Sequence, residues 1–262
     1  MRREFAASVL KRLLDQGLLH LDHSILVVAG GEVDKQLFHS LGFTSVMISN
    51  LDNRLVGNEF SPYSWSLQNA QSLTFDDEMF DFSFVSDGLH HCSSPHKALL
   101  EMYRVTKRGV IVIESRDSLL MSIAEKLKLT QSYELTAVIN NNFKYGGVDN
   151  TEIPNFIYRW TENEFKKTIQ SFNPIGRHTF HFFYDLNLPF RMASQKKGRT
   201  FYYLLKVAQP FAKLFTYLFK KQGNSFSMVT LKPAIPEDLW PWLDSQEGCI
   251  VFKINGSGAV SK

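Results

Sequence analysis

The fold of this chain is decided by the stretch Asp81-Phe82-Ser83-Phe84-Val85-Ser86-Asp87-Gly88-Leu89-His90-His91, which a helical pattern separates from Lys107-Arg108-Gly109-Val110-Ile111-Val112-Ile113-Glu114. The two apolar runs predict strands, and the helix between them predicts a crossover that makes the strands parallel. The lysine-arginine-glycine group predicts a turn before the second strand. Because open α/β sheets bind ligands beyond the carboxyl ends of their strands, we expect a site near Asp87 and the histidine pair.

The composition is that of a globular protein with a sizeable core. The chain has 262 residues, of which 44% are hydrophobic and 21% charged, and its formal net charge is +3. Nucleic-acid binding normally requires a concentrated basic stripe, which so mild a charge does not supply. Nucleic acid is therefore not expected as a partner.

The two cysteines, Cys92 and Cys249, lie far apart, which favours reduced thiols over a disulfide. The first residues lack an apolar core of signal-peptide length, and no apolar run reaches the ~18 residues typical of a membrane span. These features predict a cytoplasmic location.

The strand pattern extends on both sides of the opening stretch. Apolar runs at 24–29, 45–49 and 65–68 precede it, and runs at 176–188 and 225–231 follow it. With helices between them, they predict seven strands in a doubly wound α/β sheet, the last two forming a hairpin-like pair. We expect a single domain over 1–262, with a cofactor-binding core at 20–117 and a substrate-side elaboration at 118–262.

Polar or glycine residues follow each of the first three strands. Gly30 and Gly31 allow close approach of a ligand to a helix N-terminus, although a tight turn is an equal interpretation. Asn50 and Asp52 stand about 20 residues further on, where such folds bind a ribose. Asn69 has the donor and acceptor that an adenine edge requires. Asx turns explain the same asparagines equally well.

Taken in order, these segments resemble the class I S-adenosylmethionine-dependent methyltransferases, in particular the small-molecule, type 11-like branch. The resemblance covers about residues 20–117. It rests on Ala29-Gly30-Gly31, Asn50-Leu51-Asp52, Asn69-Ala70-Gln71-Ser72-Leu73-Thr74-Phe75, Phe80-Asp81-Phe82-Ser83-Phe84-Val85, Leu89-His90-His91, Leu99-Leu100-Glu101-Met102-Tyr103-Arg104-Val105 and Lys107-Arg108-Gly109. It implies a Rossmann-like sheet and adenosylmethionine as cofactor.

The resemblance also implies which residues bind the cofactor. They are Ala29, Gly30, Gly31, Asn50, Leu51, Asp52, Asn69, Ala70 and Asp87. Two family carboxylates are amides here, Asn50 at the ribose and Asn69 at the adenine, and amides lack the charge-assisted hydrogen bond of a carboxylate. The expected function is methyl transfer to a small molecule, with a catalytically degenerate binding or regulatory protein as the alternative. A dinucleotide-dependent oxidoreductase is disfavoured because the turn lacks a third glycine.

Methyl transfer to a hydroxyl requires alignment and a base. His91 is the first candidate for the base, because imidazoles exchange protons near neutral pH. A loop histidine that only contacts cofactor or solvent is the competing interpretation. Glu114 and Asp117 are second candidates, and His90 is expected to pack or cap. No metal site is predicted, because the histidines lack the four ligands that structural zinc requires.

A cationic aromatic segment lies between the last two predicted strands, at 196–221. It fits an ordinary packed helix split or kinked by Pro210, a lid, a dimer contact, or a membrane-surface contact through 200–221. The basic residues Arg191, Lys196, Lys197 and Arg199 fit an anionic substrate or a solvated loop. The acceptor is expected to be a saccharide or a lipid-linked intermediate, and the oligomeric state is not determined by the sequence.

Overall fold

The computed structural model describes residues 2–55, 57–188, 190 and 198–253. Its helices are α1 Arg2–Asp15, α2 Glu32–Leu41, α3 Pro95–Arg104, α4 Leu119–Lys126, α5 Leu135–Asn140, α6 Glu162–Phe172 and α7 Gly198–Leu218. Its strands are β1 Ile25–Val27, β2 Val46–Asn50, β3 Ser64–Leu67, β4 Phe80–Ser86, β5 Thr106–Ser115, β6 Thr179–Asp185, β7 Ser225–Leu231, β8 Leu243–Gln246 and β9 Cys249–Phe252. The predicted roles of Arg191, Lys196 and Lys197 lie outside the described residues.

Seven strands form one mixed sheet in the order β3-β2-β1-β4-β5-β7-β6. The first five strands are mutually parallel, while β7 runs antiparallel to both β5 and β6. The sheet, its doubly wound pattern and the antiparallel last pair are confirmed. The strand order reverses direction at β1 and β4, which brings their carboxyl ends together as the switch point of the sheet.

Each face of the sheet carries its own hydrophobic core. On one face Leu10 of α1 and Phe38 of α2 pack with Phe84 and Ile113. On the other face α3 and α6 pack against Val85 and Val112. Side chains of β4 and β5 alternate between these two cores, which explains why both strands read as near-continuous apolar runs.

Gly109 does not lie in the turn that its sequence context predicts. It belongs to β5 and pairs with Leu231 of β7. A Cβ atom on Gly109 would lie 2.2 Å from the carbonyl oxygen of Thr230, so only glycine permits this approach. The turn prediction at Lys107-Arg108-Gly109 is therefore wrong, because pairing with a strand more than 100 residues away draws these residues into the sheet.

Local sequence signals predicted where α3 and α6 begin, but they did not predict every strand. Pro95 opens α3 and the Thr161–Glu164 capping box opens α6, as predicted. The strand predicted at 176–188 is shorter, and α7 continues through Pro210 instead of splitting there. A separate two-stranded sheet of β8 and β9 was not predicted, because strands of four residues show too little alternation.

Candidate functional site

A cavity of about 240 Å3 lies at the carboxyl ends of β1, β2, β3 and β4. Among the residues proposed from sequence, Ala29, Asn50, Leu51, Asp52, Asn69, Ala70, Asp87 and His91 line it. The other lining residues are Arg54, Gln68, Gly88, Cys92, Asn141, Gly146, Gly147, Asp149 and Asn150. The segments that the sequence placed at separate strand ends therefore meet around one space.

The glycine turn reaches the cavity through Ala29, whereas Gly30 and Gly31, also proposed from sequence, are not among the lining residues. Ala29 lines the cavity with a φ of 52°, in the left-handed region that side chains rarely adopt. A Cβ atom on Gly30 would lie 2.6 Å from Val27 Cγ1, so the turn tolerates no side chain there. The Gly31 backbone N–H donates to Asp34 Oδ2 at 2.9 Å, and burial raises the pKa of Asp34 to about 6. The helix N-terminus thus already has an internal acceptor.

Asn50 and Asn69 make hydrogen bonds of the Asx-turn type, which the sequence analysis gave as an equal explanation of these two residues. Asn50 Nδ2 donates to the Gly30 carbonyl at 2.8 Å, and its Oδ1 accepts from the Asp52 N–H. Asn69 Oδ1 accepts from the Gln71 N–H. Both side chains also line the cavity, so they brace the site and remain next to its contents.

A segment from the second half of the chain covers this cavity. We call residues 141–150 the cover segment. Arg54 makes a bidentate ion pair with Asp52, lies 4.0 Å from the centre of the Tyr145 ring, and donates to Asn141 at 3.2 Å. On the other side Gln71 donates to Asp149 Oδ1 at 2.8 Å. No local signal in the sequence of the cover segment indicates that it lies over the cavity.

Beside the cavity lies a buried charged cluster. His90 Nδ1 is 2.7 Å from Glu114 Oε2, and His90 Nε2 is 3.1 Å from Glu134 Oε2. Burial disfavours charge on His90, but the carboxylates of Glu114 and Glu134 outweigh it and raise the His90 pKa to about 9. Glu114 also accepts from the Leu89 N–H at 2.7 Å. Glu114 therefore lies beneath the histidine loop, where it holds that loop in place.

His91 stands where the buried cluster meets the cavity. Its Nε2 is 3.3 Å from Glu134 Oε2, and its side chain is partly exposed. Hydrogen bonds from His90 and His91 hold the pKa of Glu134 well below its usual range. Glu134 was not singled out in the sequence, because it lies 43 residues beyond the histidine pair in a stretch without a motif.

A second cavity of about 300 Å3 adjoins the first. It is lined by Asp87, His90, Ser115, Met121, Thr130, Glu134, Ile157, Arg159 and Asn224. Asp87 lines both cavities and has a φ of 54°. Arg159 is almost wholly buried, and its Nε has no hydrogen-bond partner among the described residues. The terminal nitrogens of Arg159 donate to Glu125 and to the Gln131 carbonyl, so its Nε–H is the unpaired donor that lies near the apolar side chains of this cavity.

Two other groups near the site have limited chemistry. Burial raises the pKa of the Cys92 thiol to about 12, which keeps it protonated and a poor nucleophile at neutral pH. His90, His91 and Glu134 bring one potential metal-ligand atom each within 4.8 Å of one another, but these atoms already bond each other. His96, instead of joining them, pairs with Glu164 at 3.1 Å. The absence of a metal stays a prediction.

The donor set of the first cavity fits adenosylmethionine. Asp52 and Asp87 follow β2 and β4, on either side of central β1, and both line the cavity. Carboxylates at these places suit a ribose hydroxyl pair and the cationic end of the cofactor. The amides of Gln68 and Asn69 offer donors and acceptors at the β3 end. At about 240 Å3 the space lies just below the ~300–1,000 Å3 usual for such ligands, which the cover segment explains.

Comparison with known proteins points to the same chemistry. Residues 38–113 match the family described as "Methyltransferase domain". A curated relative is the chicken (Gallus gallus) protein named 2-methoxy-6-polyprenyl-1,4-benzoquinol methylase, mitochondrial, which is 27% identical over 114 residues. That match covers 40% of this chain and 37% of the relative, so it spans well under half of either protein.

The fold is similar to solved methyltransferase structures along most of the chain. A putative methyltransferase from Bacillus halodurans gives a TM-score of 0.52 at 17% identity, covering 87% of this chain and 100% of the other. An S-adenosylmethionine-dependent methyltransferase from Methanosarcina mazei gives 0.50 at 15% identity, covering 84% and 97%. The superfamily, enzyme class and cofactor predicted from the sequence agree with these comparisons.

Proposed function

We propose that this chain, a member of the class I S-adenosylmethionine-dependent methyltransferase superfamily, methylates a hydroxyl group on a small molecule held in the second cavity. The main observation in support of this proposal is that the two cavities adjoin each other and share a lining residue. Asp87 lines both, and the His91–Glu134 pair joins the side chains of one to those of the other. A donor and an acceptor placed on either side of this boundary would meet end to end, as a displacement requires.

The cofactor residues of this proposal come from the strand ends. Asp52 holds the ribose end, Asn69 and Ala70 face the adenine, and Asp87 faces the amino-acid end. When bound, adenosylmethionine supplies an electrophilic methyl group on a sulfonium. Arg54 donates hydrogen bonds to both carboxylate oxygens of Asp52. Asp52 must therefore give up one of these bonds to accept a hydrogen bond from the ribose.

His91 acts as the base in this proposal. Glu134 is anionic and faces His91 Nε2, so it stabilises the tautomer with its proton on that nitrogen. Nδ1 then keeps its lone pair, and it accepts the proton of an acceptor hydroxyl that reaches across the boundary into the first cavity, which His91 lines. The oxygen–methyl bond forms while the methyl–sulfur bond breaks, and the proton ends on His91. Glu114, predicted as catalytic, acts here through His90 as a positioning residue.

The second cavity favours an acceptor with both an oxygen function and an apolar part. Arg159 offers its unpaired Nε–H to an oxygen, while Met121 and Ile157 line the same space. Of the two predicted acceptor classes, this lining supports the lipid-linked intermediate over the saccharide. The curated relative is named for a polyprenyl benzoquinol, which is an acceptor of that kind. A short-chain prenylated hydroquinone is therefore the first probe to test.

Calorimetry with adenosylmethionine and adenosylhomocysteine tests the cofactor half of the proposal. We expect one site per chain, and at least tenfold weaker binding in Asp87→Ala because a cavity carboxylate is lost. Asp76→Ala is the matched control, since Asp76 is exposed just before β4, at the opposite edge of the sheet. No heat at millimolar ligand would contradict the proposal.

One set of contacts favours the alternative of a catalytically degenerate binding protein. Asn50, Asn69, Asp52 and the Gly31 N–H all have internal partners. A degenerate protein would bind adenosylhomocysteine weakly and leave the hydroquinone probe unmethylated with tritiated adenosylmethionine. Label transferred to the probe, and lost in His91→Ala, decides for the enzyme.

We also propose a reducing compartment such as the cytoplasm. Cys92 and Cys249 are both free thiols in the structure. Within the part of the chain that the structure describes, no helix is long and apolar enough to cross a bilayer. Formation of a disulfide or a mixed disulfide on isolation from cells, measured by thiol labelling, would count against this location.

A further inference from the structure

Helix α7 presents its apolar face to solvent. An ordinary surface helix turns its apolar stripe toward the core and its polar side outward. In α7 the residues at one helical face are large, apolar or aromatic, and 58–71% exposed: Tyr203, Leu204, Val207, Phe211, Leu214 and Leu218. Their spacing places all six on one side of the helix.

The face of α7 that is partly covered is the more polar one. Gln209 and Thr216 are half-buried, together with Tyr202, Leu205 and Ala212. Lys213, Thr216 and Tyr217 line a cavity of about 460 Å3 with the end of β6. The helix therefore lies on the protein through its mixed side, and its apolar side lacks a covering element among the described residues.

Basic residues border the outward apolar face. Lys206 and Lys213 are both exposed and lie about two turns apart along the helix, and Lys220 follows the end of the helix. A long apolar stripe bordered by lysines and tyrosines is the pattern of a helix that lies in a membrane interface, with its cations toward lipid headgroups. Tyrosine rings suit the same depth because one end is apolar and the other polar.

The end of α7 leads to the second cavity. The Leu120 N–H at the start of α4 donates to Gln222 Oε1, four residues beyond α7. Leu119, Leu120 and Ile123 of α4 are exposed apolar residues, and Met121 of the same helix lines the second cavity. An apolar surface thus extends from α7 to the cavity in which we place the acceptor.

We propose that the outward face of α7, continued by α4, docks on an anionic lipid surface. A second copy of the chain fits less well, because a two-fold pairing of this face would bring the same lysine border against itself. Anionic headgroups complement that border instead. The inference goes beyond methyl transfer and requires neither bound cofactor nor turnover, so its failure and the failure of the proposed activity are distinguishable.

Co-sedimentation with vesicles tests the docking. The probes are phosphatidylcholine vesicles with and without phosphatidylglycerol. We expect the protein to sediment with the anionic vesicles, and salt to weaken binding. In Lys206→Gln/Lys213→Gln we expect about fivefold weaker binding per lysine removed, confined to the anionic vesicles. Leu204→Glu/Phe211→Glu should lose binding to both kinds of vesicle.

The matched control is Leu21→Glu/Met79→Glu. It adds the same charge at two exposed apolar residues, which lie before β1 and β4 at the opposite edge of the sheet. Circular dichroism checks that each variant folds. Wild-type protein that stays in the supernatant with both vesicles overturns the proposal. Equal loss of binding in the control variant, or a dimer in light scattering that Leu204→Glu/Phe211→Glu dissociates without any vesicle binding, overturns it as well.

Discussion

The two halves of this chain differ in how many of their large apolar side chains are exposed. Up to residue 118, the large apolar side chains that are exposed among the described residues are Leu21, Val33, Leu67 and Met79. From residue 119 onward, two dozen described side chains of the same kind are exposed, most of them on α4, α5, α7 and the segments that connect them. The first half buries its apolar residues against the sheet, whereas much of the second half leaves them on the surface.

This difference separates what the two halves contribute to the site. The first half builds the sheet whose strand ends form the first cavity. The second half supplies the cover segment, Glu134 and Arg159, and it presents apolar surface around the second cavity. The two halves meet chemically at the His91–Glu134 contact, where their separate roles can be tested.

The largest expected effect breaks that contact. His91→Ala should lower methylation of the hydroquinone probe by about 10²–10⁴-fold, the usual contribution of a positioned base. Adenosylhomocysteine affinity, measured by calorimetry, should change little. His96→Ala is the control, because His96 pairs with Glu164 outside the cluster. Retained turnover in His91→Ala would show that His91 is not the catalytic base.

The next largest effect concerns the buried side of the cluster. Glu114→Gln leaves the His90 cation without its nearest carboxylate, so we expect the free energy of unfolding to fall by about 3 kcal/mol. Asp77→Asn, at the exposed Arg104–Asp77 ion pair, should cost less than about 1 kcal/mol. Urea denaturation measures both variants. Equal effects would show that the cluster is not the rigid part of the site.

The same cluster predicts how stability depends on pH. The His90 pKa is raised from 6.5 to about 9 on folding, so its contribution is fully present below pH 6.5 and is lost as pH rises through 9. The Glu134 pKa is lowered, so its contribution is present above its ordinary value and is lost in acid. Between pH 6.5 and 9.5 we expect the wild type to lose up to about 3 kcal/mol. His90→Gln should flatten this dependence in thermal melts, and an unchanged slope would contradict the assignment.

The smallest effect concerns the cover segment. Arg54→Ala removes its contacts with Tyr145 and Asn141, so we expect roughly fivefold faster amide exchange at 141–150 from the loss of about 1 kcal/mol. Arg177→Ala, an exposed arginine near β6, serves as the control. Unchanged exchange in Arg54→Ala would show that the contacts of Asp149 with Gln71 and Ser93 hold the cover segment in place without Arg54.

Much of the first cavity could be predicted because it depends on strand ends. Ala29, Asn50, Asp52, Asn69 and Asp87, which line the first cavity, each lie at or just after the end of a strand that hydrophobic pattern alone identifies, and parallel strands bring their ends together. The cover segment, Glu134 and Arg159 could not be predicted, because their positions depend on how an irregular stretch after β5 folds back over the sheet. Local residue preferences carry no information about such a return.

The sequence by itself determined the α/β sheet, its order of strands and helices and the methyltransferase resemblance, because side-chain period and turn residues are local properties. Tertiary structure alone decided three things: that Gly109 enters β5 opposite Leu231, that His90 lies between two carboxylates, and that α7 turns its apolar face outward. Each depends on contacts between residues far apart in the chain. Hydrophobic spacing shows that a helix has an apolar face, but only packing shows whether that face meets the core.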